Sequence, residues 1–430
     1  MRPRSQAVLQ AKGSCRDVPA RRRRLCLVWV VCVLVCQVFG QAALAQDWRP
    51  SVSHTGTVAK AARLSRDGQK TVFTLIATGK VAPRVFALSR PYRVVIDIPD
   101  MRFQLPSKAG RTGAGLVARY RFGLLSPGRA RIVLDLTAPV RFETRTVKSR
   151  EAETRFALEL HQVAPDKFQG QRPPQLRRSV QPRKPAAPPL RRPRTRGTPI
   201  VVIDAGHGGV DPGAVASDGV LEKEITLAVA HRLRRALIDS GKVKVVMTRV
   251  NDVYVTLDNR VARAAEVRAD LFISLHADSV PGESAAFARG ASVYIMSEKA
   301  SDRRAQLVAE KENASDTLAG VTTDVAKTSF VHTILIDLLR RESADRAIRF
   351  REELIKGLRG SIRLHTTPRR SAAFRVLRQV STPSVLVELG FMSHPRDRRD
   401  LVNARWQSKV AGVLSAAVLS FFRGEARRGR

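Results

Sequence analysis

Between residues 52 and 160 apolar and polar positions alternate in short runs. TVFTLIAT (71–78), RVFAL (84–88), YRVVIDI (92–98), ARIVLDL (130–136) and TRFALEL (154–160) have the β-branched content of half-buried strands. Turn chemistry separates them at Asp67-Gly68, Pro99-Asp100 and Pro127-Gly128. The pattern predicts a small antiparallel β-sandwich, a binding module without a catalytic cluster. His54 and His161 sit at its edges and read as surface histidines.

From Pro199 the period changes. Strand-like PIVVIDAG (199–206), VKVVMTR (243–249), LFISLHA (271–277), SVYIM (292–296) and SVLVELG (384–390) alternate with helical segments. LEKEITLAVAHRLRRALIDSG (221–241) has apolar residues at helical spacing and closes on Gly241, and LDNRVARAAEVRA (257–269) joins the second strand to the third. The expected fold is an α/β domain, a mixed and mostly parallel sheet covered by helices, over 199–424, preceded by the all-β sandwich over 46–160. Residues 297–365 are mostly polar helix and longer than a crossover requires. With no coiled-coil heptads, a monomer is expected.

The segment joining the two domains, 161–198, is rich in proline and arginine, and Asp166 alone offsets its ten basic residues. Proline favours polyproline II and like charges resist collapse, so it reads as an extended basic tether.

The apolar run Leu25 to Phe39 is too short to span a bilayer. Arg21 to Arg24 precede it and Ala43-Leu44-Ala45 follow, the layout of a secretory signal over 1–45 with cleavage after Ala45. Arg22-Arg23-Arg24-Leu25 matches twin-arginine export only in part, and bulky Val35 before Cys36 argues against a lipoprotein; an uncleaved anchor is the alternative. All four cysteines (Cys15, Cys26, Cys32, Cys36) lie in this leader, so the exported chain has no disulfide, no thiolate-bound zinc and no thiol nucleophile. Localisation in the periplasm follows. The net charge of +38 becomes +31 after cleavage. Outside the cytoplasm that charge points away from nucleic acid and toward cell-wall polymer, anionic lipid or an acidic protein.

Ligands of open α/β sheets collect at the carboxyl ends of the strands. His207, His276 and Glu388 stand at three such ends, and Glu222 opens the first long helix, where it can turn back to the same edge. Two imidazoles and a carboxylate with an open fourth position form a catalytic zinc set, leaving Glu388 to handle protons. The glycines at 206, 208, 209 and 213 suit a tight loop that aims His207 inward. A phosphate loop is the weaker reading, because GHGGVDPGA has neither P-loop nor GxGxxG spacing and lacks the lysine. Asp204, Asp211 and Asp278 could orient the histidines or merely build the loops. His231 is nine residues beyond Glu222, about 13 Å along a helix, and is no ligand. His332, His365 and His394 read as structural or surface groups.

IDAGHGGVDPGA, the LEKEITLAVA helix start, SLHAD, GASVYIMSE, KENASD and TPSVLVELGFMSH together resemble the zinc-dependent N-acetylmuramoyl-L-alanine amidases of Gram-negative cell separation, over residues 199 to 424. Residues 46–160 look like the AMIN module that precedes such domains. The resemblance implies that His207, Glu222 and His276 bind Zn2+, that Glu388 is the catalytic carboxylate, and that peptidoglycan is cut between N-acetylmuramic acid and L-alanine. It also implies that residues 297–346 form a regulatory insertion in which Glu312 plugs the zinc site. FVHTILIDLL (330–339) would dock a LytM-type activator, and the AMIN-like module would bind the wall or a septal targeting partner. The rivals are a non-catalytic wall-binding scaffold, another extracytoplasmic zinc hydrolase and a polyanion-binding protein. The intact set of His207, Glu222, His276 and Glu388 argues against the first; the lack of HExxH and HxxEH argues against the second.

Overall fold

The computed structural model describes residues 57–428 except 107, 149–152, 169, 171–196, 281, 283–284, 286–287 and 322–333. The leader, most of the tether and the first part of the 330–339 run lie outside the described residues. Among the described residues no helix is long and apolar enough to cross a membrane.

The N-terminal half is a two-sheet sandwich. One sheet holds β1 (Thr57–Asp67), β2 (Lys70–Thr78), β5 (Met101–Phe103), β8 (Val140–Lys148) and β9 (Glu153–Gln162) in the order β5-β1-β2-β9-β8. The other holds β3 (Arg84–Leu88), β4 (Arg93–Pro99), β6 (Val117–Ser126) and β7 (Arg129–Leu136) in the order β3-β4-β7-β6. Phe73, Leu75, Phe156 and Leu158 of the first sheet meet Val94, Ile96, Ile132 and Leu134 of the second in a closed apolar core. The sandwich is not wholly antiparallel, because β5 pairs parallel with β1. The chain leaves β4 at Asp100, whose φ of 49° turns it from one sheet into the other. Strand β4 has six consecutive buried residues, Arg93 to Ile98, so this sheet is covered on both faces.

The C-terminal half is a six-stranded sheet in the order β11-β10-β12-β15-β13-β14, formed by β10 (Ile200–Ala205), β11 (Lys244–Met247), β12 (Leu271–His276), β13 (Ala291–Met296), β14 (Leu364–Ala372) and β15 (Ser384–Glu388). All neighbours are parallel except β13 and β15. Helices α1 (Glu222–Asp239), α5 (Ile334–Leu358) and α7 (Ala404–Arg428) cover one face, with Val229, Leu233, Leu354, Leu414 and Val418 against Val201, Ile203 and Val385. On the other face α2 (Leu257–Glu266) and α3 (Arg303–Asn313) pack Ala264, Ala305 and Val308 over Val202, Phe272 and Leu386. The short α4 (Ser315–Leu318) follows α3 at once, and α6 (Pro395–Val402) precedes α7.

Candidate metal centre and active site

Strands β10, β12 and β15 are adjacent and parallel, so their carboxyl ends share one edge. In register, His276 ends β12 beside Glu388 at the end of β15. His207 follows β10 in the left-handed region, φ 58°, a conformation that costs a non-glycine residue roughly 1–2 kcal/mol and turns the chain inward. The loop around it must be slim. A Cβ on Gly213 would lie 2.6 Å from His207 Cδ2 and 2.7 Å from Glu222 Oε2. One on Gly206 would lie 2.5 Å from His276 Cε1.

Glu222, fully buried at the first turn of α1, is fixed by two backbone amides: Ala214 N–H donates to Oε2 at 2.7 Å and Ala277 N–H to Oε1 at 2.8 Å. Its Oε1 then stands 3.2 Å from His207 Nε2 and 3.3 Å from His276 Nδ1. Glu312, from the last turn of α3, approaches from the other side, its Oε2 at 3.2 and 3.3 Å from the same two nitrogens. Both ring nitrogens are buried and form no hydrogen bond.

These spacings test whether a metal fits. Four ligands at the usual zinc distance of about 2.0–2.1 Å make a tetrahedron with edges of about 3.3 Å. The four imidazole–carboxylate spacings, 3.2 to 3.3 Å, match four of the six edges of such a tetrahedron, and the donor set is two imidazoles and two carboxylates. His207, His276 and Glu312 alone already bring three ligand atoms within 4.8 Å of one another. The site fits a zinc ion.

Hydrogen bonds outside the quartet set its chemistry. Asp211 Oδ2 is 2.9 Å from His207 Nδ1, which therefore carries a proton, so that in the neutral imidazole the Nε2 lone pair faces the site. Burial disfavours a charged His207, but Glu222, Asp211 and Glu312 outweigh it and hold the imidazole pKa well above its ordinary value. So many anions around one imidazole suit a cation at the centre. Asp204 hydrogen-bonds neither histidine; it accepts from Arg260 Nη1 at 2.6 Å, and Arg260 Nη2 donates to the His207 carbonyl at 2.8 Å. Asp278 pairs with Lys311, the neighbour of Glu312 on α3.

Glu388 is buried beside the quartet. Its Oε2 accepts from Asp278 N–H at 3.0 Å while Oε1 has no partner. Burial, then the charges of Asp278, Glu222 and Glu312, push its carboxyl well above the usual range, the condition of a proton acceptor. His231 bonds the Val250 carbonyl at 3.0 Å, far from this chemistry, and His394 caps α6. His365 lies on β14 beside Arg304 and Arg370, and His332 lies outside the described residues.

Sequence reasoning did not foresee what anchors the Glu312 segment. Ser315 Oγ donates to Asp211 Oδ2 at 2.5 Å, and buried Asp316 Oδ1 accepts from Tyr254 Oη at 2.5 Å and from Leu257 N–H at 3.0 Å.

The N-acetylmuramoyl-L-alanine amidase family model matches residues 201–420, the whole of the domain that carries this site. The chain belongs to that family. The AMIN domain model matches residues 61–164, so the sandwich is the AMIN domain of an amidase. The amidase is 30% identical over 405 residues to N-acetylmuramoyl-L-alanine amidase AmiC of Escherichia coli strain CFT073, covering 89% of this chain and 95% of that one. It is 36% identical over 231 residues to AmiA of Escherichia coli K12, covering 53% of this chain and 78% of that one. Among solved structures, AmiC2 of Nostoc punctiforme aligns at 27% identity and a TM-score of 0.38, over 53% of this chain and 98% of that one.

Proposed function

We propose that this amidase cleaves peptidoglycan in the periplasm, at the amide joining N-acetylmuramic acid to L-alanine, with zinc held by His207, Glu222 and His276, and that Glu312 keeps it inactive until an activator intervenes. The observation that carries this reading is the set of 3.2 to 3.3 Å spacings by which Glu222 and Glu312 both face two buried imidazole nitrogens that lack hydrogen-bond partners.

Zinc bound there supplies Lewis acidity toward the lactyl carbonyl and toward a water molecule. Glu388 accepts a proton from that water through Oε1. The water oxygen bonds to the carbonyl carbon, the C–N bond breaks, and Glu388 returns the proton to the departing L-alanine nitrogen. The second proton of the water stays on the new carboxyl group and is lost to solvent, so the products are a muramic acid carboxylate and a free stem peptide. Asp211 holds His207 in one tautomer, and the Ala214 and Ala277 amides hold Glu222 in place.

With the Glu312 carboxylate occupying the position that faces both imidazoles, a reacting water would have no place beside a bound ion. Releasing α3 opens that position, and activator docking on the neighbouring helical segment is the expected trigger. The exported charge of +31 favours retention on a polymer with acidic stem peptides.

Digestion of purified peptidoglycan with and without a chelator, read by mass spectrometry of the new amine and carboxylate ends, tests the reaction. Glu388→Gln should keep one zinc per chain by elemental analysis and release no stem peptide; retained hydrolysis removes Glu388 from its role.

A further inference from the structure

The four-stranded sheet of the AMIN domain does not face solvent. Phe86, Leu88, Val95, Leu125 and Val133 on its outer side form one buried cluster with Val210 of the His207 loop, Tyr254 and Ala319. Ala319 lies just beyond α4, seven residues after Glu312. The backbone joins in, since Tyr254 N–H donates to the Leu124 carbonyl at 3.0 Å. Gly123 on β6 packs so closely on the His207 loop that a Cβ there would stand 2.2 Å from the Gly209 carbonyl.

Arginines of the AMIN domain tie down the carbonyls at the end of α4. Arg131 Nη1 donates to Ala319 O at 3.1 Å and Gly320 O at 2.9 Å, while its Nε and Nη2 hold Asp97 at 2.6 and 2.8 Å. Arg93 Nη1 donates to Thr317 O. Cationic side chains suit the carbonyl end of a helix, and each of these donors is lost if the segment moves.

We propose that the AMIN domain is a second lock on the inhibitory segment: its β3-β4-β7-β6 face is the docking surface for residues 317–321, so that Glu312 can leave the metal site only when this interface loosens. The inference rests on the reading of Glu312 as a plug and adds that the plug is held from the N-terminal domain. Ligands that compete for this sheet face, or that pull the AMIN domain away, therefore activate the enzyme.

Gly123→Val in the exported full-length chain tests it. Gly123 lies in a strand outside the left-handed region, so the added side chain wedges the interface without straining β6; because it presses on Gly209 of the His207 loop, zinc content is read as well, and a chain that loses zinc is replaced by the Arg93→Met variant. Two readouts are taken without activator: hydrolysis of dye-labelled sacculi, and hydrogen exchange of the 317–321 amides. Expected are faster exchange there, unchanged protection of the β4 and β7 ladders, and a basal rate raised roughly 5- to 150-fold, the usual span of a coupling between sites. Combined with Glu312→Ala the wedge should add nothing. If the ladders lose protection, or the 317–321 amides stay protected, Arg93→Met, which removes the hydrogen bond to Thr317 and one to the Pro91 carbonyl in the turn before β4, decides in its place. Faster exchange at 317–321 with a wild-type basal rate, while Glu312→Ala is fast, overturns the lock and leaves the plug standing. A Glu312→Ala chain no faster than wild type overturns the plug, and the lock with it.

Discussion

Asp316→Ala is expected to switch the amidase on without touching the metal site. Asp316 is fully buried, and its Oδ1 accepts from Tyr254 Oη and Leu257 N–H while Arg375 Nη1 lies 3.4 Å from Oδ2. Hydrogen bonds to a charged group contribute about 1.5–3 kcal/mol each, so the pair contributes about 3–6 kcal/mol to the closed segment. Losing them shifts the closed-to-open ratio by about 10²–10⁴. The basal rate should climb by that factor or until it reaches the level of Glu312→Ala, whichever comes first. Asp316→Asn keeps an acceptor at Oδ1 and loses only the charge, so its rate should fall between. Release of dye from labelled sacculi without activator gives the rates, and zinc content with a thermal melt reports folding. An Asp316→Ala chain that keeps its zinc, melts cooperatively and hydrolyses no faster than wild type, while Glu312→Ala is fast, refutes the reasoning.

Two further outcomes concern stability. Glu222→Ala leaves the Ala214 and Ala277 amides buried without acceptors, at about 1–3 kcal/mol each, so calorimetry of the chelated protein should show a melting point lower by about 5–20 °C; an unshifted melt would show that the two amides find other partners. Burial, then Arg370 and Arg304, lower the pKa of His365 to about 4, below its unfolded value near 6.5. Between these values the unfolded chain binds more protons, so stability is present above about pH 6.5 and is lost as pH falls toward 4. His365→Gln should flatten that part of the melting-point profile, and an identical profile would exclude His365 as its source.

The strands that alternation revealed, such as KTVFTLIAT and ETRFALELHQ, bury one face against the other sheet of the sandwich. Two of those it missed have little to alternate. In β8 (VRFETRTVK) the described side chains beyond Val140 and Phe142 are all exposed, and β14 (LHTTPRRSA) is an edge strand that tolerates Pro368 because one side needs no ladder. His207, His276 and Glu388 stood out because each interrupts an apolar strand at its carboxyl end. Glu312 has no such signature, being one polar residue in a polar helix, and only the family resemblance singled it out. The bonds of Ser315 to Asp211, Asp316 to Tyr254 and Arg131 to Ala319 span 104, 62 and 188 residues, and no local pattern announces contacts of that reach.

The apolar patch of Phe86, Leu88, Val95, Leu125 and Val133 is covered only while Val210, Tyr254 and Ala319 lie on it. Uncovering it exposes five large side chains to water at once, and their burial is favourable from any orientation. On the proposed opening, the molecule would thus carry its own return spring. Activity would last only as long as something else occupies that patch or holds the domains apart, which sets the duration of wall cleavage by residence time rather than by a separate off-signal.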